Sequence, residues 1–216
     1  MSKDLKKRIY TSILLLSLLL LAFINNYVMT YFLIVLGLFS IIEFTKIILI
    51  IFRKNKIKQF ILNLAFIVYI FSFCAIFVIF SSFLNLKILF FVILTTCIAS
   101  DIGGFVFGKV FKGPRLTKIS PNKTISGSIG SVIFSIIFIL FSIYFLTKNF
   151  DPYILVVGFL TSFACQIGDL FFSFLKRKSF LKDTGNFLPG HGGILDRIDG
   201  ILLGMPVGFL TLLMIY

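Results

Sequence analysis

Residues 125–146 read ISGSIGSVIFSIIFILFSIYFL, twenty-two positions without one charged side chain. A helix needs about 20 apolar residues to cross the hydrocarbon of a bilayer, whereas a barrel strand needs about ten, alternating apolar and polar. The run is continuous, so it reads as a membrane-crossing helix. Six similar runs lie to either side: Ile9–Ile24, Tyr27–Ile51, Gln59–Phe83, Leu86–Phe107, Pro152–Leu175 and Ile198–Tyr216. The expected fold is all-α, a polytopic membrane protein of about seven transmembrane helices. Asp151 should cap the sixth helix, with Pro152 at its first position.

Composition agrees with the runs. Of 216 residues, 59% are hydrophobic, 13% are charged and 30 are Phe. Soluble domains run at about 45–50% apolar. Mean hydropathy is +1.10. These values exclude a soluble globular enzyme, a disordered tail and a secreted disulfide scaffold. Cys74, Cys97 and Cys165 all sit inside apolar runs and read as small buried side chains. No cleavable leader is evident, so the run after Arg8 should remain as the first span. No polar stretch is long enough for a second domain, so residues 1–216 read as a single integral membrane domain.

The formal net charge is +13, with 21 Lys and Arg against 8 Asp and Glu. In a soluble chain this would suggest nucleic acid. Here the basic residues alternate with the spans: nineteen fall at the N-terminus and in the second, fourth and sixth loops, and only Lys87 and Lys148 fall elsewhere. The positive-inside rule then places the N-terminus and those loops in the cytoplasm, the C-terminus outside, and no nucleic acid among the partners.

The acids mark candidate chemistry. Glu43, three residues before Lys46, reads as a local ion pair. Asp101 and Asp169 lie in otherwise apolar segments, where a carboxylate is costly and usually faces a cavity. Asp196 and Asp199 are spaced i, i+3 at the start of the last helix. Two neighbouring carboxylates repel unless a cation sits between them, and Mg²⁺ is a natural one; satisfaction by Arg197 and the helix N-terminus is an equal alternative. The fourth loop, GKVFKGPRLTKISPNKT, and the sixth, KRKSFLKDTGNFLPGHGGILDRID, combine basic residues with hydroxyls and glycines that suit phosphate. The residues alone describe a cytoplasm-facing site for a divalent cation and phosphate. That fits phosphoryl or nucleotidyl transfer to a lipid, and also a phosphate-handling transporter.

Residues 173–199, SFLKRKSFLKDTGNFLPGHGGILDRID, resemble the signature of phosphatidate cytidylyltransferases, the CDP-diacylglycerol synthases. The stretches SDIGGFVFGKVFKG with ISPNKT, and CQIGDLFFSFLKR, resemble two further motifs of that family, so the resemblance covers residues 95–216. It implies an enzyme that makes CDP-diacylglycerol and pyrophosphate from CTP and phosphatidic acid with Mg²⁺, alone or with a second cation. It implies metal binding by Asp169, Asp196 and Asp199, with Asp101 as a further ligand. Lys176, Arg177 and Arg197 would act at the phosphates. Lys123, Ser120, Lys182, His191, Gly192 and Gly193 would bind substrate. Membrane lipids would be partners, a homodimer stays open, and the expected location is the cell membrane with the site facing the cytoplasm. A related CTP-dependent polyprenol-type kinase is the alternative enzyme. Phe172 and Ser126 stand where the family often carries Glu, which removes two carboxylates. The chain is also shorter than the family's members, which implies missing helices near the N-terminus.

Overall fold

The computed structural model describes residues 3–121, 123–185, 187 and 192–215, and the side chains from Tyr10 onward. Seven helices follow in order: α1 Lys3–Ile24, α2 Asn26–Ile51, α3 Lys56–Ser81, α4 Leu84–Phe111, α5 Ile125–Thr147, α6 Ile154–Lys178 and α7 Leu195–Ile215. Six of them, α2 to α7, are long and apolar enough to cross a membrane; the apolar part of α1, Tyr10–Ile24, is shorter. The chain is therefore a helical membrane protein, as the apolar runs required.

Local chemistry sets the helix ends. The Asn25 side chain accepts from the Tyr27 and Val28 amides, Asn55 accepts from Lys58 N, and Thr124 accepts from Gly127 N. Lys148 closes α5 in the left-handed conformation, φ 58°. The expected start of the sixth helix shifts. Asp151 Oδ1 takes the Tyr153 amide at 2.9 Å, and its carbonyl takes Ile154 N at 3.2 Å. This winds residues 151–153 into a tight turn, so the helix begins at Ile154 rather than Pro152.

The chain divides into two compact units. The first comprises residues 1–87 and 175–198. In it α2 packs on α1 and α3. Gly37 lets Ile70 and Cys74 approach the α2 backbone, Phe44 stacks on Phe66 at 3.9 Å, and Met29, Ile47 and Ile48 are buried beside them.

The second unit comprises residues 88–174 and 199–216. Small residues dominate its helix crossings. Lipid tails are as apolar as Leu, so helices associate in a membrane through close backbone approach and interhelical hydrogen bonds. Gly103, Gly104 and Gly108 of α4 meet Gly127 and Gly130 of α5, and Gly168 of α6 lies against the Asp199 carbonyl and Gly200 of α7. Polar links reinforce them: Ser100 to Ser162 at 2.8 Å, and Ser135 Oγ to Gly158 O at 2.7 Å. Cys97 and Cys165 are buried free thiols beside Gly204.

The charge asymmetry predicts that the α6–α7 loop and the α5–α6 loop face opposite sides of the membrane. Phe180, 96% exposed, is the natural reporter in the first; its neighbour Ser179 is 3% exposed and would react poorly. With the native cysteines replaced, Phe180→Cys should react with an impermeant thiol reagent from the cytoplasmic side and Asn149→Cys from the other. Labelling of both from one side would remove this topology.

Candidate active site

In the second unit the chain leaves α4 at Phe111 and reverses through Lys112 and Gly113, both with positive φ. A single antiparallel bridge joins Arg115 to Thr124, with Leu116 N donating to Lys123 O at 2.7 Å and Ile125 N to Pro114 O at 3.1 Å. The Ser120 carbonyl accepts Lys123 N at 3.1 Å, and the Ser126 hydroxyl donates to Lys112 O. These bonds fix Lys123 at the mouth of α5. Its ammonium reaches Asp169 Oδ2 on α6 at 2.5 Å, both side chains being between a fifth and a third exposed.

That ion pair lines a cavity of about 480 Å³. Asp101 of α4, Lys109, Thr124, Ser128 and Gln166 share its wall. Gln166 is held by Ser128, whose hydroxyl donates to its Oε1, while its Nε2 donates to Ser128 O at 3.2 Å and to Ser162 Oγ at 3.4 Å. The second unit thus brings Asp101, Lys123 and Asp169 to one cavity, from segments up to 68 positions apart by residue number. Asp199, whose Oδ1 accepts the Gly200 amide at 3.0 Å, sits where α7 meets α6 at Gly168. Phe172 is buried and meets Phe171 edge-on, so no carboxylate occupies that position.

The first unit holds the other charged cluster. The end of α6 turns through Phe180 in the left-handed conformation, with Leu181 N donating to Lys176 O and Phe180 N to Arg177 O. This is a Schellman ending with Phe where Gly is usual. Lys176 Nζ lies 2.6 Å from Asp196 Oδ1. Asp196 Oδ2 accepts from Thr184 N at 2.8 Å and Gly193 N at 3.2 Å. Its two oxygens are therefore engaged by an ammonium and by two amides, at the favourable end of the α7 dipole. The amide of Gly193 is spent on this acid, and Gly192 adopts φ +83° beside Asp183. Arg177, Lys182 and Arg197 are exposed. His191 lies outside the described residues.

Glu43 does not form the local ion pair with Lys46 that its spacing suggested. It is 0% exposed and accepts from Thr184 Oγ1 at 2.7 Å, Ile194 N at 3.1 Å and Leu195 N at 2.8 Å. The Lys46 ammonium lies over the Phe187 ring, 6.0 Å from its centre. Two amides at the start of α7 and the Thr184 hydroxyl outcompete one solvated ammonium for a carboxylate that the packing of α2 has already buried.

Among the described residues, no three acids, histidines or cysteines cluster closely enough to enclose a metal ion. Asp101 and Asp169 nonetheless share a cavity with hydroxyl and amide oxygens. Mg²⁺ takes such hard donors, often one or two carboxylates completed by water and substrate phosphates, so the residues present fit it. Sequence reasoning missed Thr124, Ser128, Gln166 and Thr184. A polar side chain within an apolar helix needs a partner, and that signal could have flagged Gln166.

The cytidylyltransferase family profile matches residues 2–215. A Staphylococcus aureus protein named phosphatidate cytidylyltransferase is 44% identical over 110 residues, 50% of this chain and 42% of that protein. Proteins of the same name from Rickettsia typhi and Helicobacter pylori are 39% and 42% identical, over 55% and 52% of this chain and 56% and 42% of theirs. The chain spans about half the length of these relatives. With a family profile matched almost end to end, the chain belongs to the cytidylyltransferase family.

Proposed function

We propose that this chain transfers the cytidylyl group of CTP to phosphatidic acid, giving CDP-diacylglycerol and pyrophosphate, at a cytoplasm-facing site in the cell membrane. Family membership and the shared name of the relatives support the reaction. The observation that carries the site is the Lys123–Asp169 pair on the wall of a cavity that also holds Asp101.

A phosphate oxygen of phosphatidic acid attacks the α-phosphorus of CTP. The bond from that phosphorus to the oxygen bridging the β-phosphate breaks, and pyrophosphate leaves. The attacking oxygen is already ionised at neutral pH, so no strong general base is required. The protein's task is alignment and the neutralisation of charge. Lys123, pinned by Asp169, offers an ammonium in a fixed place; Lys176, pinned by Asp196, does the same. Arg177, Lys182 and Arg197, all exposed, add positive charge for phosphates, and Ser120 and Gly192 lie on the loops that would meet them. Asp101 and Asp169, with Asp199 at the start of α7, are the carboxylates that would hold Mg²⁺. Asp196, in the first unit, has both oxygens engaged by Lys176 and by the Thr184 and Gly193 amides, and would serve to hold Lys176. Bound Mg²⁺ would supply charge neutralisation at the phosphates.

The test is purified protein in detergent with Mg²⁺, phosphatidic acid and CTP labelled at the α- or the γ-phosphate. The α-label should enter lipid and the γ-label should leave as pyrophosphate. Transfer of the γ-label to a polyprenol would mark a kinase, and no covalent transfer of either label would overturn the reading.

A further inference from the structure

We infer that Glu43, on α2 and far from the motif residues in sequence, is a positioning residue that sets the geometry of the Lys176–Asp196 pair. The inference rests on the assignment of Lys176 to a substrate phosphate made above.

The Glu43 carboxylate is wholly buried, and a buried carboxylate is retained only where hydrogen bonds or opposite charge replace its water. Both of its oxygens are satisfied from the segment that ends in Asp196. Oε1 takes Ile194 N, and Oε2 takes Leu195 N and the Thr184 hydroxyl. The Thr184 hydroxyl has one proton and two carboxylates within reach, Glu43 Oε2 at 2.7 Å and Asp196 Oδ2 at 3.1 Å. The shorter contact assigns that proton to Glu43, while the Thr184 amide serves Asp196. Thr184 is thus clamped between the two acids. Its position decides where Asp196 sits, and Asp196 holds the ammonium of Lys176.

A second observation shows that the loop is shaped around this carboxylate. A Cβ on Gly193 would fall 2.6 Å from Glu43 Oε2 and onto the Thr184 hydroxyl. A Cβ on Gly185 would meet Glu43 Oε1, with Cδ at 3.0 Å. Two glycines of the sixth loop therefore make room for Glu43. A side chain whose only task was to hold α2 in the bundle would need neither glycine, and it would not need to engage the first amides of α7.

The experiment has two arms. Hydrogen–deuterium exchange on the full chain in detergent compares wild type with Glu43→Gln. In Glu43→Gln an amide N–H₂ replaces one oxygen, and it must face a backbone donor. Exchange should quicken in peptides covering residues 179–199 and stay unchanged in residues 125–147. This arm needs no activity, so a wild-type protein that transferred no label would sink the functional reading and leave this arm to decide the inference. The second arm is a double-mutant cycle on turnover. Glu43→Gln alone should lower kcat/KM by about tenfold or more, the scale on which a small misplacement acts. In a Lys176→Gln background it should change it by less than about twofold, because coupled residues are not additive. Thr184→Val, which keeps shape and loses the hydroxyl, reads the same link if Glu43→Gln fails to insert. Unchanged exchange in 179–199, or additive effects in the cycle, would overturn the inference.

Discussion

Asp169→Asn is expected to lower kcat by at least about a hundredfold while leaving the KM for CTP the same or lower, the split expected where an interaction is made chiefly in the transition state. The substitution keeps the shape of the side chain and removes its charge. Lys123 then keeps its ammonium in a cavity that has lost one negative group, so an anionic nucleotide meets no new repulsion. What is lost is the fixed placement of that ammonium and one of the two carboxylates that line the cavity. The magnitude separates this role from a structural one. A partly exposed ion pair contributes about 0–1 kcal/mol, which would be at most about a fivefold effect. The measurement is steady-state kinetics in mixed micelles, with Lys123→Gln as companion, for which a raised KM is expected. A loss of fivefold or less in Asp169→Asn would reduce the pair to scaffolding.

The second large effect is on stability. Gly168→Ala should destabilise the helix bundle by about 1–3 kcal/mol, the usual cost of forcing extra volume into a packed site. The added Cβ would lie 2.5 Å from the Asp199 carbonyl and 3.3 Å from Gly200 Cα. Both are backbone atoms on α7 and cannot rotate aside. Alanine's better helix propensity returns only about 1 kcal/mol, which does not cover the clash if α6 and α7 must separate. Gly37→Ala is the contrast, because its Cβ would meet the Ile70 side-chain methyl at 3.1 Å, and a side chain can give. Thermal denaturation in detergent should show a clearly lower midpoint for Gly168→Ala than for Gly37→Ala. Equal midpoints would mean that the crossing is more pliable than its spacing indicates.

The helices were legible because a bilayer enforces length and apolarity residue by residue, and each expected span overlaps one helix of the structure. Asp101, Lys123 and Asp169 were each legible as single expensive or well-placed charges. Their pairing was not. Lys123 and Asp169 are 46 positions apart, and no local period connects a loop lysine to a mid-helix acid. Glu43 shows the limit most sharply. Its neighbour Lys46 satisfied the i, i+3 rule, while its partners lie 141 to 152 positions away. A local rule ranks neighbours along the chain, and burial decides which of them a side chain can reach. The start of α6 was displaced for a related reason: Asp151 caps a turn, and its type gives no sign of whether that turn continues as a helix.

Lys87 changes how the charge pattern of this chain is counted. Its side chain is 6% exposed, its ammonium donates to Asn26 Oδ1 at 2.7 Å, and it lies 5.6 Å from the centre of the Phe23 ring. Asn26 Nδ2 reaches in turn to the Ser81 carbonyl at 3.4 Å. An amide oxygen and an aromatic face therefore stand in for water around this cation. Of the two lysines that fall outside the basic N-terminus and loops, Lys87 is sheathed in protein and Lys148 is exposed. Lysine at 87 thus acts as a rivet between helix ends, a cation that the folded chain keeps from the medium.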